Sequence, residues 1–261
     1  MKIGPFENVD LTTVRPEHRV LFLSFAASRS VQVVPQLRRA FLAYAKANLR
    51  TFPWREPGTS AYRLLLAELL LVQTKAPDVA AIWPTLIERY PTPDRLSRAV
   101  FRSLVSFLRP LGLQRQRANA LRDLGRHLVR ECDGQVPSAV VDLLSLPHVG
   151  LYTATAVNCF AYGGRVPIVD ANVLRVFGRI FGIPSRIELR RNRKAWATAW
   201  AVLPRQRVAL HNYGLLDFAA QVCTPTAPKC GACHIRDFCC YGMSRISVPE
   251  VNKDKQLSSR L

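Results

Sequence analysis

The chain has 261 residues, enough for one large or two small domains, and 49% of them are hydrophobic, which supplies a sizeable core and excludes a disordered chain. Lysine and arginine number 37 against 18 acidic residues, a formal charge of +19 that points to a polyanionic partner. The longest apolar stretches, such as 64–72 broken by Glu68, fall short of the roughly 20 residues a bilayer span needs, so an integral membrane protein is excluded. The amino-terminal end carries Lys2, then Glu7 and Asp10, and does not read as a secretory signal. An intracellular, reducing setting is expected.

In chain order, residues 1–30 form a weakly periodic extension in which 20–27 is a short apolar run. From Pro35 onward Leu37, Phe41, Leu42 and Tyr44 recur at three- and four-residue steps, as a helix burying one face requires. Residues 51–58 interrupt it as a loop, and an almost wholly apolar helix follows from Ser60 to Val72, with Glu68 its one acid. Pro and Gly signals then delimit helices at about 77–89, 94–108, 114–131, 138–145, 151–162, 170–181, 191–202 and 206–222. The segment 165–169 is the one candidate strand, so the chain is predominantly α-helical. The tail from about Ser244 has the polar composition of disorder.

Three constellations carry chemistry. Cys223, Cys230, Cys233 and Cys239 are spaced C-x6-C-x2-C-x5-C, with Pro225, Pro228 and Gly231 keeping the backbone out of helix, so four thiolates can converge on one centre. Zinc and a cubane iron-sulfur cluster both accept four cysteines, and this spacing alone leaves both open. Cys132 and Cys159 stand apart, and Cys240 is surplus.

The second is L-P-H-V-G-L-Y-T-A at 146–154, a tight turn between two helices. The start of its second helix, reached through Val149 and Gly150, offers backbone N–H groups to a phosphate oxygen. Taken alone, such a turn is more often plain connection.

The third is V-D-A-N at 169–172. Asp170 can cap the helix that follows, and an ionised carboxylate at a concave site can also stabilise positive charge developing on a sugar. Glu68 is either paired with an arginine or held for proton work, in which case burial favours its neutral, proton-donating form.

In this order and separation the three motifs resemble the helix-hairpin-helix base-excision DNA glycosylases of the endonuclease III type, over about Pro35 to Gly242. The resemblance implies an all-α, two-lobed helix-hairpin-helix glycosylase fold. One lobe is a six-helix barrel domain at 60–164. The other is an iron-sulfur cluster helical domain formed by 31–59 with 165–242, and a polar tail occupies 243–261. It implies that the four cysteines hold a 4Fe-4S cluster with a structural and DNA-contacting role.

The implied partner is double-stranded DNA containing a mismatched or damaged base, gripped by a monomer that flips the base into a pocket between the lobes. By motif position Asp170 is the catalytic carboxylate, and Glu68 matches the glutamate that assists base departure in the adenine-removing branch. Gln73 matches a residue wedged into the gap left by the flipped base, Asn172 orients Asp170 or a phosphate, and His148, Val149, Gly150 and Arg175 belong to the DNA-binding set.

Bifunctional members carry a Schiff-base lysine where this chain has Tyr152, and no lysine occurs between Lys75 and Lys194. A monofunctional enzyme is therefore expected. The segment 111–118, with Gln116 and Arg117, together with Tyr152, 170–172 and 216–218, resembles the thymine glycosylases of G·T mismatches. Residues 52–55 and Gln73-Thr74 resemble the adenine glycosylases equally well. About twenty residues follow Cys239, fewer than the 8-oxoguanine-reading domain of that branch occupies, and this favours thymine or uracil opposite guanine. The departure from the family is His148, where most relatives have glycine. A catalytically inactive DNA-binding protein of the same fold is the rival reading, which the joint presence of Asp170 and Glu68 opposes.

Overall fold

The computed structural model describes residues 30–182 and 193–244. The 1–29 extension with its 20–27 run, the segment 183–192 and the tail after Ser244 lie outside the described residues. Among the described residues there are twelve α-helices and no strand, in agreement with the all-α expectation. The helices are α1 Ser30–Asn48, α2 Ala61–Leu70, α3 Ala76–Arg89, α4 Pro93–Ser97, α5 Phe101–Leu108, α6 Gln114–Glu131, α7 Val140–Leu143, α8 Leu151–Tyr162, α9 Ala171–Phe181, α10 Arg193–Val202, α11 Val208–Gln221 and α12 Cys240–Ser244. None is long and apolar enough to cross a membrane.

Two of the sequence expectations are corrected. The single helix expected at 94–108 is two, α4 and α5, because Arg98 leaves helical geometry and Val100 is extended as the cap of α5. Gly125 of α6 is seated against this break, where a side chain would come within 2.8 Å of the Ser97 backbone nitrogen. The candidate strand at 165–169 is irregular backbone, and its Val166 carbonyl accepts from the Asn212 side chain at 3.0 Å instead of from a neighbouring strand.

The chain divides into two compact units. The hairpin unit is Asn48–Ile168 with Leu203–Tyr213. Its core is one apolar cluster in which α2 is buried nearly all round, packed with Trp54, Trp83, Leu104 and Leu121. The ends of its helices are fixed locally. Ser60 accepts the Arg63 N–H at the start of α2, Thr92 accepts the Arg95 N–H at the start of α4, and the Tyr62 hydroxyl donates to the Tyr90 and Thr92 carbonyls. Gly163 (φ 71°) ends α8 in the left-handed region, with Gly163 N–H and Gly164 N–H returning to Cys159 and Asn158 carbonyls.

The cysteine unit comprises the described parts of Met1–Ala47, Val169–Val202 and Gly214–Leu261. Phe218 of α11 meets Phe41 and Tyr44 of α1 edge to face, at 5.5 and 5.4 Å between ring centres. Arg38 donates to the Ala201 carbonyl at the end of α10. His234, in the cysteine loop, stacks on Tyr44.

Candidate nucleic-acid interface and active site

The hairpin is built from the core outward. Leu146 and Val149 are buried in the apolar cluster, which pins both sides of the turn. Between them His148 adopts φ 63°, the left-handed region where a side chain is strained. Its imidazole is exposed, with Nε2 3.2 Å from Asp123 Oδ2 on α6. Gly150 is the extended N-cap of α8, and no side chain caps this helix start. The Val149 N–H donates within the turn to Leu146, while the first-turn amides of Leu151 and Tyr152 open the helix. Tyr152 is half-buried there.

Glu68 lies on α2 and is 3% exposed, so the only acid of that helix is buried. Just beyond the helix Gln73 is exposed with φ 56°, on a loop whose neighbour Val72 is also exposed. Opposite stands Leu113, exposed with φ 48° at the start of α6. An open groove runs between these loops, lined by Leu69, Val72, Leu113, Gln116, Arg117 and His148. It brings the hairpin histidine and the Gln73 loop to one place within the hairpin unit.

Asp170 is half-buried and caps α9: Oδ1 accepts the Val173 N–H at 2.7 Å, and Oδ2 accepts from Asn172 Nδ2 at 2.7 Å. Asn172 Oδ1 in turn accepts from Arg175 at 2.9 Å. The remaining guanidinium nitrogens of Arg175 donate to the carbonyls of Cys223 and Ala219. Arg175 thus links the carboxylate to the cysteine segment, each of its three guanidinium nitrogens donating one hydrogen bond within the protein.

Cys223, Cys230, Cys233 and Cys239 line one small cavity with apolar Val176, Ile180 and Phe218. Short 3₁₀ turns at Cys230–Ala232 and Arg236–Phe238 present the last three thiols. Arg179 donates to Cys223 Sγ at 3.3 Å, and the Gly242 N–H lies 3.4 Å from Cys239 Sγ. Among the described residues no three His, Cys, Asp or Glu side chains are grouped tightly enough for one metal ion. Four sulfurs around a space, with cationic and N–H donors facing them, suit a polynuclear anionic cluster better than a single ion bound at about 2.3 Å. Cys240 is exposed, Cys132 is half-buried on the hairpin unit, and Cys159 is buried there, where burial pushes its thiol up to about 11.

Sequence reasoning missed two partners of the site. Asp123, the partner of His148, lies 25 residues upstream and carries no motif. Arg117 was visible only as part of a resembling segment, although it occupies the buried stripe of α6 with Leu121, Leu124 and Leu128. An arginine at a core position is the signal that could have found it.

A family model described as "HhH-GPD superfamily base excision DNA repair protein" matches residues 66–199. The thymine/uracil-DNA glycosylase of Pyrobaculum aerophilum is 36% identical over 200 residues, covering 76% of this chain and 86% of the relative. The adenine DNA glycosylase of Mycobacterium tuberculosis is 36% identical over 236 residues, covering 84% of this chain and 75% of the relative. Among solved structures, a thermostable thymine-DNA glycosylase superposes with a TM-score of 0.75 at 30% identity, covering 81% of this chain and 99% of that one.

Proposed function

Since the chain belongs to the HhH-GPD superfamily of base excision DNA repair proteins and is a DNA glycosylase, we propose that it is a monofunctional enzyme, acting as a monomer, that releases thymine or uracil opposite guanine from double-stranded DNA. The observation that carries the reading is the Asp170–Asn172–Arg175 chain. It holds a half-buried carboxylate by two 2.7 Å bonds on the cap of a helix, fixed in position before any substrate arrives.

In this reading the nucleotide is rotated out of the stack and Gln73 enters the gap it leaves. The His148–Gly150 turn and the amides that open α8 hold the phosphodiester backbone. Asp170 stabilises the oxocarbenium-like sugar as the N-glycosidic bond breaks, aligns the water that adds to C1′ and takes up the proton that water loses. The electron pair of that bond leaves with the base, and Glu68 delivers the proton that the departing base takes up. Tyr152 stands at the place of the Schiff-base lysine, so no covalent enzyme–DNA bond forms and the product is an abasic site. The four cysteines would hold a 4Fe-4S cluster, which supplies structure and charge near DNA and no step of the hydrolysis.

Release of adenine is the second reading, favoured by 36% identity over 236 residues to an adenine DNA glycosylase. Duplexes carrying T·G, U·G, A·G, A·8-oxoguanine and hypoxanthine, assayed for alkali-labile sites, decide between the two. T·G or U·G is expected to lead, and a lead for A·8-oxoguanine would refute the assignment. Borohydride is expected to trap no covalent complex.

A further inference from the structure

We propose that Arg117 is a positioning residue that sets the two loop tips carrying Gln73 and Leu113, and that through them it governs extrusion of the base; the proposal rests on the function proposed above. Arg117 is buried on α6, yet its guanidinium reaches out of the helix on both sides of the groove. Nη1 donates to the carbonyls of Leu69 and Leu70 at 3.4 and 3.0 Å, and Nη2 to the Val72 carbonyl at 2.9 Å and to Thr74 Oγ1. Nε donates to the Gly112 carbonyl at 3.0 Å, and the backbone N–H to that of Leu113.

Five guanidinium N–H groups therefore meet five acceptors. Leu69 and Leu70 end α2, and carbonyls at a helix end have no partner inside the helix. Arg117 supplies one and carries a positive charge to the negative end of the helix that bears Glu68. The acceptors on either side of it bracket Gln73, while Gly112 precedes Leu113. Both tips are non-glycine residues held in the left-handed region, a backbone state that persists only where the surroundings over-determine it. Although it lies in a chain of charge +19, this arginine is thus turned toward the protein backbone and holds together the two segments that flank the groove. A lysine there, with three donors on a single point, cannot span both.

The full-length protein and its R117K and R117Q variants are compared in single-turnover base release at saturating protein, alone and in a Q73A/L113A background. R117Q is expected to slow release on the order of 100-fold, with R117K intermediate and affinity for undamaged duplex little changed. In the Q73A/L113A background the same substitution is expected to cost less than about threefold, since the tips it sets are gone. An equal loss in both backgrounds, or release by R117Q at the wild-type rate, would overturn the proposal. Hydrogen exchange of 71–75 and 112–114 in the free protein supplies the arm that needs no base release. Exchange is expected to rise in R117Q, or in R117K if R117Q does not fold, and unchanged exchange refutes the strut. A wild-type chain that releases no base from any duplex would refute the proposed function alone.

Discussion

Replacing Asp170 separates its observed role as the cap of α9 from the catalytic role proposed for it. In D170N the new amide oxygen can still accept the Val173 N–H, so the α9 cap survives; Asn and Asp are equivalent caps. The second oxygen becomes an NH₂ group facing the Asn172 Nδ2 donor, which lies 2.7 Å away. Asn172 can turn over to present its oxygen only by giving up the 2.9 Å bond to Arg175. One hydrogen bond is lost either way, about 1 kcal/mol, or a fall of roughly 2–4 °C in melting temperature for a chain of this size. Loss of the negative charge from the developing cation is far larger, on the order of 4 kcal/mol, a factor of roughly 10³ in base release. D170S provides the control, because serine also caps and carries no carboxylate. Single-turnover excision, a thermal melt and duplex binding are measured on both variants. Expected are a small thermal shift, intact binding and a thousandfold slower release. Release within tenfold of wild type by D170N would refute the catalytic assignment and leave Asp170 a cap.

Three further outcomes follow from other parts of the molecule. G214A inverts the usual helix preference: alanine normally gains about 1 kcal/mol over glycine, but here its methyl would come 2.7 Å from the Phe41 carbonyl and the Ala45 side chain. The variant is expected to melt lower by an amount equivalent to about 1–3 kcal/mol, and a stabilised G214A would contradict the packing of α11 on α1. If the four cysteines hold the proposed cluster, the wild type is expected to be brown and to contain iron and acid-labile sulfide, and C233A to lack all three. Colour with full iron content in C233A would remove that residue from the ligand set. Arg179→Gln takes a cation from beside Cys223, and faster loss of iron to a chelator is the expected result, with an unchanged rate counting against a role for that contact.

Helix periods and the three motifs were legible in the sequence because each depends on neighbours within a few residues. The apolar stripe of α6, the Asp170 cap and the glycine that ends α8 all belong to this local class. What escaped depends on distant segments. The break between α4 and α5 comes with the close seat of Gly125, some 28 residues on, and no turn residue announces it at 98–100. Arg117 has partners 43 to 48 residues away, so its environment is invisible to any window of a helix. Arg175 likewise has carbonyl partners 44 and 48 residues further along, which no local motif announces.

His148 shows how a side chain in the left-handed region is sustained at the hairpin. Among the described residues five non-glycine positions have positive φ, and three of them, Gln73, Leu113 and His148, stand at the groove or on the loops that border it. A residue held this way costs on the order of 1–3 kcal/mol, so these loops are maintained by the packing beneath them rather than by local preference. At 148 the anchors are Leu146 and Val149 in the core, with an exposed imidazole–carboxylate contact to Asp123 that contributes at most about 1 kcal/mol. Glycine relieves the strain but loses that contact and frees the unfolded chain, terms of similar size and opposite sign. H148G should therefore melt within a few degrees of the wild type and bind duplex at least as tightly, since nothing then projects from the turn. A β-branched residue cannot make the same exchange: H148V meets the left-handed backbone with a crowded Cβ and should lose roughly 2 kcal/mol. If H148V were as stable as H148G, the turn would not require the left-handed conformation, and the place of His148 in the hairpin would need another explanation.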